Sequence, residues 1–140
     1  MDSLRKAIRR LEATDATFVA VKDGWIFESH DRGIAPMMKL LSEDQDSLRG
    51  ACVADKVIGK AAALLFCYAG IQKLYAKTIS EHAISVLNDQ ALPYEFGQIV
   101  PFIVNRTGDG MCPMEQLVLD VTAPDEAYSI LKEHTGRPKV

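Results

Sequence analysis

The sequence predicts an α/β fold, a three-layer sandwich with helices on both sides of a mixed sheet. Three observations predict it. Asp23-Gly24 separates two β-rich runs, which is typical of a hairpin. Strand-like and helix-like segments then alternate, which favours parallel strands joined by helical crossovers. A central segment, 56–69, is almost wholly apolar, as expected of a buried helix. At 140 residues, with no repeat or linker, the chain is expected to form a single domain over 1–140.

Each predicted element follows from local signals for helices, strands and turns. We predict a helix over 2–12, strands over 17–21 and 25–29, a helix over 33–41, a strand over 51–54, a helix over 56–69, a strand over 74–77, a helix over 78–87, a strand over 99–104, a helix opening at 113 and a last helix over 124–134. Asp55 is the predicted N-cap of the central helix, and Gly70 ends it. Thr78 and Glu81 have the spacing of a capping box.

Composition excludes several classes of protein. The net charge is −3 and the basic residues are dispersed, which argues against a nucleic-acid partner. No run reaches the roughly 18 apolar residues of a membrane span, so no membrane association is expected. The three cysteines, an odd number without a CxxC pair, do not form a disulfide framework. Since the first ten residues also lack the apolar run of a signal peptide, we expect a cytoplasmic, reduced protein.

Two lysines lie at the start of the predicted central helix. Lys56 and Lys60 are four residues apart and would share one face of its first turns. Together with the exposed backbone N–H groups of a helix start, they would suit an anion such as a phosphate or carboxylate. The alternative is that both lysines reach solvent from the end of a buried helix. The segment is not a P-loop, because Ala54 and Ala61 stand where that motif needs glycine and Ser or Thr.

A second candidate lies at the predicted helix start before Pro113. A helix N-terminus favours the thiolate form of a cysteine, so Cys112 could act as a nucleophile, a metal ligand or a redox sensor. A structural cysteine is the alternative. No histidine is spaced to pair with it, since the three in the chain are scattered and each fits a surface or helix-end position: His30, His82 and His134.

Four stretches of the sequence, taken together, resemble a known family. Residues 54–63, 79–83, 104–106 and 112–115 resemble a family of uncharacterised prokaryotic proteins assigned to the cytidine-deaminase-like superfamily. The resemblance covers nearly the whole chain and implies a cytidine-deaminase-like fold. In that superfamily two helix N-termini meet at one zinc site, with a His/Cys-x-Glu motif on one and Pro-Cys-x-x-Cys on the other.

The resemblance also implies that the zinc-deaminase motif is missing here. Asp55 would stand at a zinc-ligand position, and Val57 would replace the glutamate that moves the proton. Cys112 and Glu115 have the spacing of the two cysteines, with glutamate replacing one, and Met111 replaces the proline. One thiolate and two carboxylates form an uncommon zinc set. We therefore expect no metal, no cofactor and no zinc-dependent deamination. The resemblance also suggests a homo-oligomer.

Three hypotheses of function follow. The first is a binding protein for a small anionic ligand, a nucleotide among the candidates, held by Lys56 and Lys60 with Asn105 and Arg106 at the rim. The second is an enzyme with altered chemistry, in which Cys112 is the nucleophile or a metal ligand and Asp55 or Glu115 is the acid or base. The third is a structural or assembly protein. The sequence does not decide whether the chain is an enzyme.

Overall fold

The computed structural model describes residues 2–31, 33–105 and 107–135. In chain order its elements are α1 (Ser3–Ala13), β1 (Phe18–Lys22), β2 (Trp25–Ser29), α2 (Ala35–Glu43), β3 (Cys52–Ile58), α3 (Lys60–Ala69), β4 (Lys73–Ser80), α4 (Glu81–Asp89), β5 (Tyr94–Val100), α5 (Pro113–Leu117) and α6 (Pro124–Thr135). Within these described ranges, no helix has the length and apolarity needed to cross a membrane.

The five strands form one mixed sheet in the order β2-β1-β3-β4-β5. β1 pairs antiparallel with β2 and with β3, whereas β3, β4 and β5 are parallel. The predicted hairpin is confirmed. Asp23 and Gly24 both have positive φ, as the two-residue turn between twisted antiparallel strands requires. The predicted mixed sheet of an α/β fold is confirmed too.

Helices cover both faces of this sheet. α1 packs against one face, where residues such as Val19 and Ala54 contact its apolar stripe. The other face is buried by α2, α3, α4 and α6 in a larger core that includes Phe18 and Val53. Because successive strand residues point to opposite faces, β1 and β3 supply both cores in turn.

In β3 and β4, the regular alternation of side chains between the two faces of the sheet is interrupted near Lys56 and Lys77. Neither residue has a bridge partner, although the residues before and after them are paired. In a regular strand, residues five apart lie on opposite faces. Val53 and Ile58 nevertheless belong to the same core. The alternation therefore shifts by one residue at this point, and Val57 is left 47% exposed in a central strand.

The predicted start of the central helix is wrong. The chain stays extended from Ala54 through Ile58, and α3 begins only at Lys60, after Gly59 as N-cap. Pairing of this stretch with β1 and β4 extends the strand beyond its short apolar core. Asp55 still accepts a local backbone N–H, that of Val57 at 3.3 Å, but it does so inside a strand. The remainder of α3 is buried, as its composition predicts.

Two other boundaries also differ. The last strand is β5, Tyr94–Val100, not 99–104, because its pairing with β4 begins at Tyr94 and Pro101 lies just after its end. The N-cap of α4 is Ser80, whose hydroxyl accepts the Ala83 N–H, so Thr78 belongs to a strand rather than a capping box.

Candidate functional site

Glu115 occupies the junction of three helices. Its side chain is only 1% exposed, and both carboxylate oxygens are hydrogen-bonded. Oε2 accepts the backbone N–H of Lys60 and the hydroxyl of Ser80, each at 2.7 Å. Oε1 accepts the backbone N–H of Ile103, also at 2.7 Å. One buried carboxylate thus satisfies donors from three separate segments, which stabilises a charge away from water.

Local structure explains why these groups meet. Lys60 is the first residue of α3, and Ser80 is the N-cap of α4, so Glu115 lies where two helix dipoles are positive. Gly59 makes room for it, because a Cβ at this position would lie 2.8 Å from Oε2 and 2.9 Å from a side-chain carbon of Ile103. The carboxylate therefore occupies the position at the two helix starts where an external anion would otherwise bind. Its hydrogen bonds link α3, α4 and the segment around Ile103.

Asp55 is a second buried carboxyl, with a different environment. It is 7% exposed, and burial raises its pKa to about 8, against a smaller lowering by the backbone N–H groups of Val57 and Lys56. The group is therefore largely protonated at neutral pH. Among the described residues, no hydrogen bond joins it to Glu115 or Cys112.

Cys112 lies at the N-cap of α5, as predicted. It is half-buried, and its backbone N–H donates to the Ile103 carbonyl at 2.7 Å, while its thiol caps nothing. α5 has only five residues, too few to give its N-terminus much of a dipole. Burial raises the pKa of the Cys52 thiol and raises that of Cys67 to about 11. Across the described part of the chain, no three His, Cys, Asp or Glu side chains are grouped to hold a metal ion.

The two predicted anion-binding lysines do not share a helix face. Lys56 is half-buried in β3, and Lys60 begins α3, with Gly59 between the two elements. The prediction of a shared helix face fails because the helix was predicted to begin at residue 56, four residues before α3 begins. The Lys60 ammonium bonds the backbone carbonyl of Leu119 instead.

The Asn105 side chain makes its hydrogen bonds within its own loop. Its amide oxygen accepts the backbone N–H groups of Gly108 and Asp109 and the hydroxyl of Thr107, and its amide nitrogen donates to Asp109. These bonds occupy the side chain within the loop, as in an Asx turn. Arg106, the other predicted rim residue, lies outside the described residues.

A cavity of about 250 Å³ opens between α4 and the segment that precedes α6. One face of α4 forms one wall of this α4 cavity, and Lys60 and residues 121–122 form the other. Eight residues line it: Lys60, His82, Ser85, Val86, Asp89, Gln90, Val121 and Thr122. The sequence carries a signal for that wall, since positions 82, 85, 86 and 89 have helical spacing and three of them are polar. Sequence spacing alone places His82 only at a surface or helix-end position.

The polar side chains of the α4 cavity retain hydrogen-bonding capacity for a ligand. The Lys60 ammonium bonds the Leu119 carbonyl, which occupies one of its three donors. Neither His82 nor Asp89 makes a side-chain hydrogen bond or ion pair with another described residue. Lys60 and His82 come from the first turns of two helices, and Asp89 ends α4. Since a helix rises 1.5 Å per residue, His82 and Asp89 are separated by roughly 10 Å along the axis. The cavity is therefore basic at one end and acidic at the other.

Comparison with known proteins identifies the family. The family model described as "TM1506: Domain of unknown function (DUF1893)" matches residues 6–135. A crystal structure of a DUF1893 family protein (TM1506) from Thermotoga maritima is 32% identical, with a TM-score of 0.87, and the match covers 94% of this chain and 89% of that one. None of the curated proteins compared with the chain is similar to it. Neither match names a cytidine deaminase, so that relationship stays a prediction. The chain belongs to the DUF1893 family.

Proposed function

We propose that this protein binds a small anionic ligand in the α4 cavity, at the end formed by Lys60 and His82. The observation that carries the proposal is that two basic side chains, from the first turns of α3 and α4, line one cavity. The backbone N–H groups of Lys60 and Ala83 at these helix starts are already bound by Glu115 and Ser80, so the attraction for an anion comes from the two side chains.

The lining narrows the class of ligand. The cavity has about 250 Å³, below the range of pockets that hold drug-sized molecules. No Phe, Tyr or Trp side chain among the described lining residues offers a large stacking surface for a base, and His82 is the single aromatic ring among them. Both features favour a small carboxylate or phosphate over a nucleotide.

Asp89 places a carboxylate at the end of the cavity away from Lys60. An anion at the Lys60 end avoids this carboxylate, whereas an anion near Gln90 would be repelled by it. The ligand would therefore bind in one orientation, with its negative group towards the starts of α3 and α4.

Isothermal titration calorimetry with inorganic phosphate and with succinate tests the proposal. We expect one of these anions to bind, and Lys60→Gln and His82→Gln each to weaken it by roughly three- to tenfold, through the loss of one partly exposed polar contact. Lys60→Gln keeps the backbone N–H that Glu115 accepts, so the junction remains intact.

Two control variants make the result specific. Lys56→Gln removes the same charge from β3, outside the cavity, and should leave affinity unchanged. Asp89→Asn should tighten binding of a simple anion, because it removes a repulsive charge from the lining. Equal losses in the Lys56 and Lys60 variants would show a response to overall charge and would refute the proposed site.

A further inference from the structure

β5 is an open edge of the sheet. Among the described residues it pairs only with β4, and no described strand lies on its outer side. The stretch 96–99 is uncharged, and β5 contains neither lysine nor proline, the residues that usually prevent edge pairing. Its single charge, Glu95, is already bound by Arg5 at 2.7 Å and Lys73 at 3.3 Å.

Backbone groups of β5 point towards this edge. The Leu74 N–H donates to the Pro93 carbonyl, so Pro93 and Glu95 direct their backbone groups to β4. Alternate residues of a paired strand point the other way, which leaves the N–H and C=O of Tyr94 and Phe96 facing outwards. Phe96 is also 44% exposed. These are the groups that an added strand would bond and cover.

Gly97 leaves a gap in the row of β5 side chains, next to β4. A Cβ at this position would lie 2.8 Å from the Lys77 carbonyl oxygen, so only glycine fits here. The Tyr75 hydroxyl is 3.4 Å from the same point and makes no hydrogen bond with another described residue. Lys77, exposed and level with Gly97, has no ion-pair partner among the described residues. One uncommitted donor, the Tyr75 hydroxyl, therefore lies beside the gap, and the residue level with the gap carries an ammonium without an ion-pair partner among the described residues.

We propose that the β5 edge binds an extended segment of a partner protein that carries an acidic side chain opposite Gly97. A strand added at the usual spacing of about 4.8 Å would bring that carboxylate over the missing side chain, towards the Tyr75 hydroxyl and the Lys77 ammonium. Each open edge of the described sheet carries one carboxylate, Glu28 on β2 and Glu95 on β5, and Arg10 and Arg5 already bind them. A second copy of the chain thus offers no uncommitted acid from either edge, which favours a different protein.

The test uses two nine-residue peptides of alternating threonine and valine, one with a central glutamate and one with a central glutamine. Amide NMR titrations should shift the signals of Tyr94, Phe96 and Gly97, and the glutamate peptide should bind roughly three- to tenfold tighter. Tyr75→Phe and Lys77→Gln should each reduce that preference. Phe96→Pro, which removes an outward N–H without touching the β4 ladder, should weaken both peptides alike.

Lys22→Gln, at the far hairpin, is the control and should change nothing. Absence of binding to the folded protein, or equal affinity for the two peptides, would overturn the proposal. Self-association that Phe96→Pro abolishes, without peptide binding, would also overturn it and would assign the edge to a second copy.

Discussion

Glu115 and the α4 cavity lie close together in the fold, on either side of Lys60, yet they use polar groups in opposite ways. Around Glu115 each carboxylate oxygen is bound, and the donors come from Lys60, Ser80 and Ile103. In the α4 cavity, His82 and Asp89 have no hydrogen-bonding or ionic partner among the described residues. A polar side chain that is already satisfied and buried stabilises the fold, whereas one that is accessible and unsatisfied can bind a ligand.

Removal of the Glu115 carboxylate should have the largest effect. Glu115→Ala leaves one buried and two part-buried donors without an acceptor, and we expect a loss of about 3–5 kcal/mol in the free energy of unfolding. Urea denaturation measures it. Glu126→Gln, an exposed acid in the first turn of α6, should cost less than about 1 kcal/mol. A Glu115 variant as stable as the Glu126 control would contradict the stabilising role that distinguishes Glu115 from the side chains of the α4 cavity.

Asp55 can be compared with Glu115, because its carboxyl is also buried but accepts hydrogen bonds only from nearby backbone N–H groups. Its pKa of about 8 in the folded protein lies above the ordinary value of 3.8, so the folded state binds the extra proton between these pH values. Stability should therefore fall as pH rises through this window, by up to about 1.4 kcal/mol per pH unit. Asp55→Asn should remove that slope. Denaturation midpoints from pH 4.5 to 7.5 test it, and a slope unchanged in the variant would contradict the assignment.

Gly59→Ala probes the space around Glu115. The added methyl would lie 2.8 Å from the carboxylate and 2.9 Å from Ile103, and we expect a cost of about 1–3 kcal/mol from overpacking. Gly110→Ala, where a Cβ would meet only the Asn105 amide nitrogen at an ordinary 3.6 Å, separates that crowding from the general effect of replacing a glycine. A smaller Gly59→Ala cost in an Ile103→Ala background, which removes the crowded Cγ1 atom, would confirm the clash.

Local signals in the sequence predicted much of the fold, and non-local contacts account for the errors. The hairpin at Asp23-Gly24 and the N-cap position of Cys112 depend on a few adjacent residues, and both predictions were right. The helix start at Asp55 was wrong, because β3 is extended by pairing with strands distant in sequence. No local pattern distinguishes that pairing from a helix start.

The candidate site was harder to predict for the same reason. Glu115 was placed correctly at a helix start, but its bonds reach residues 35 and 55 positions away, which no spacing in the sequence shows. His82 became a candidate only when the fold brought α4 beside Lys60. The predicted roles of Cys112, Asp55 and Glu115 in catalysis stay predictions. If Cys112 is a nucleophile, it is expected to react faster with a thiol reagent than Cys52 or Cys67, whose thiol pKa values burial raises.

Amide NMR mapping of phosphate binding tests the contrast between the two regions most directly. We predict that phosphate shifts the signals of residues 82–90 and 121–122, which line the α4 cavity, and leaves the N–H of Ile103 at the Glu115 carboxylate unchanged. Asp89→Asn should strengthen the same shifts. Shifts centred on Ile103 and residues 112–116, with the α4 signals unmoved, would mean that an anion displaces Glu115 and would contradict the account.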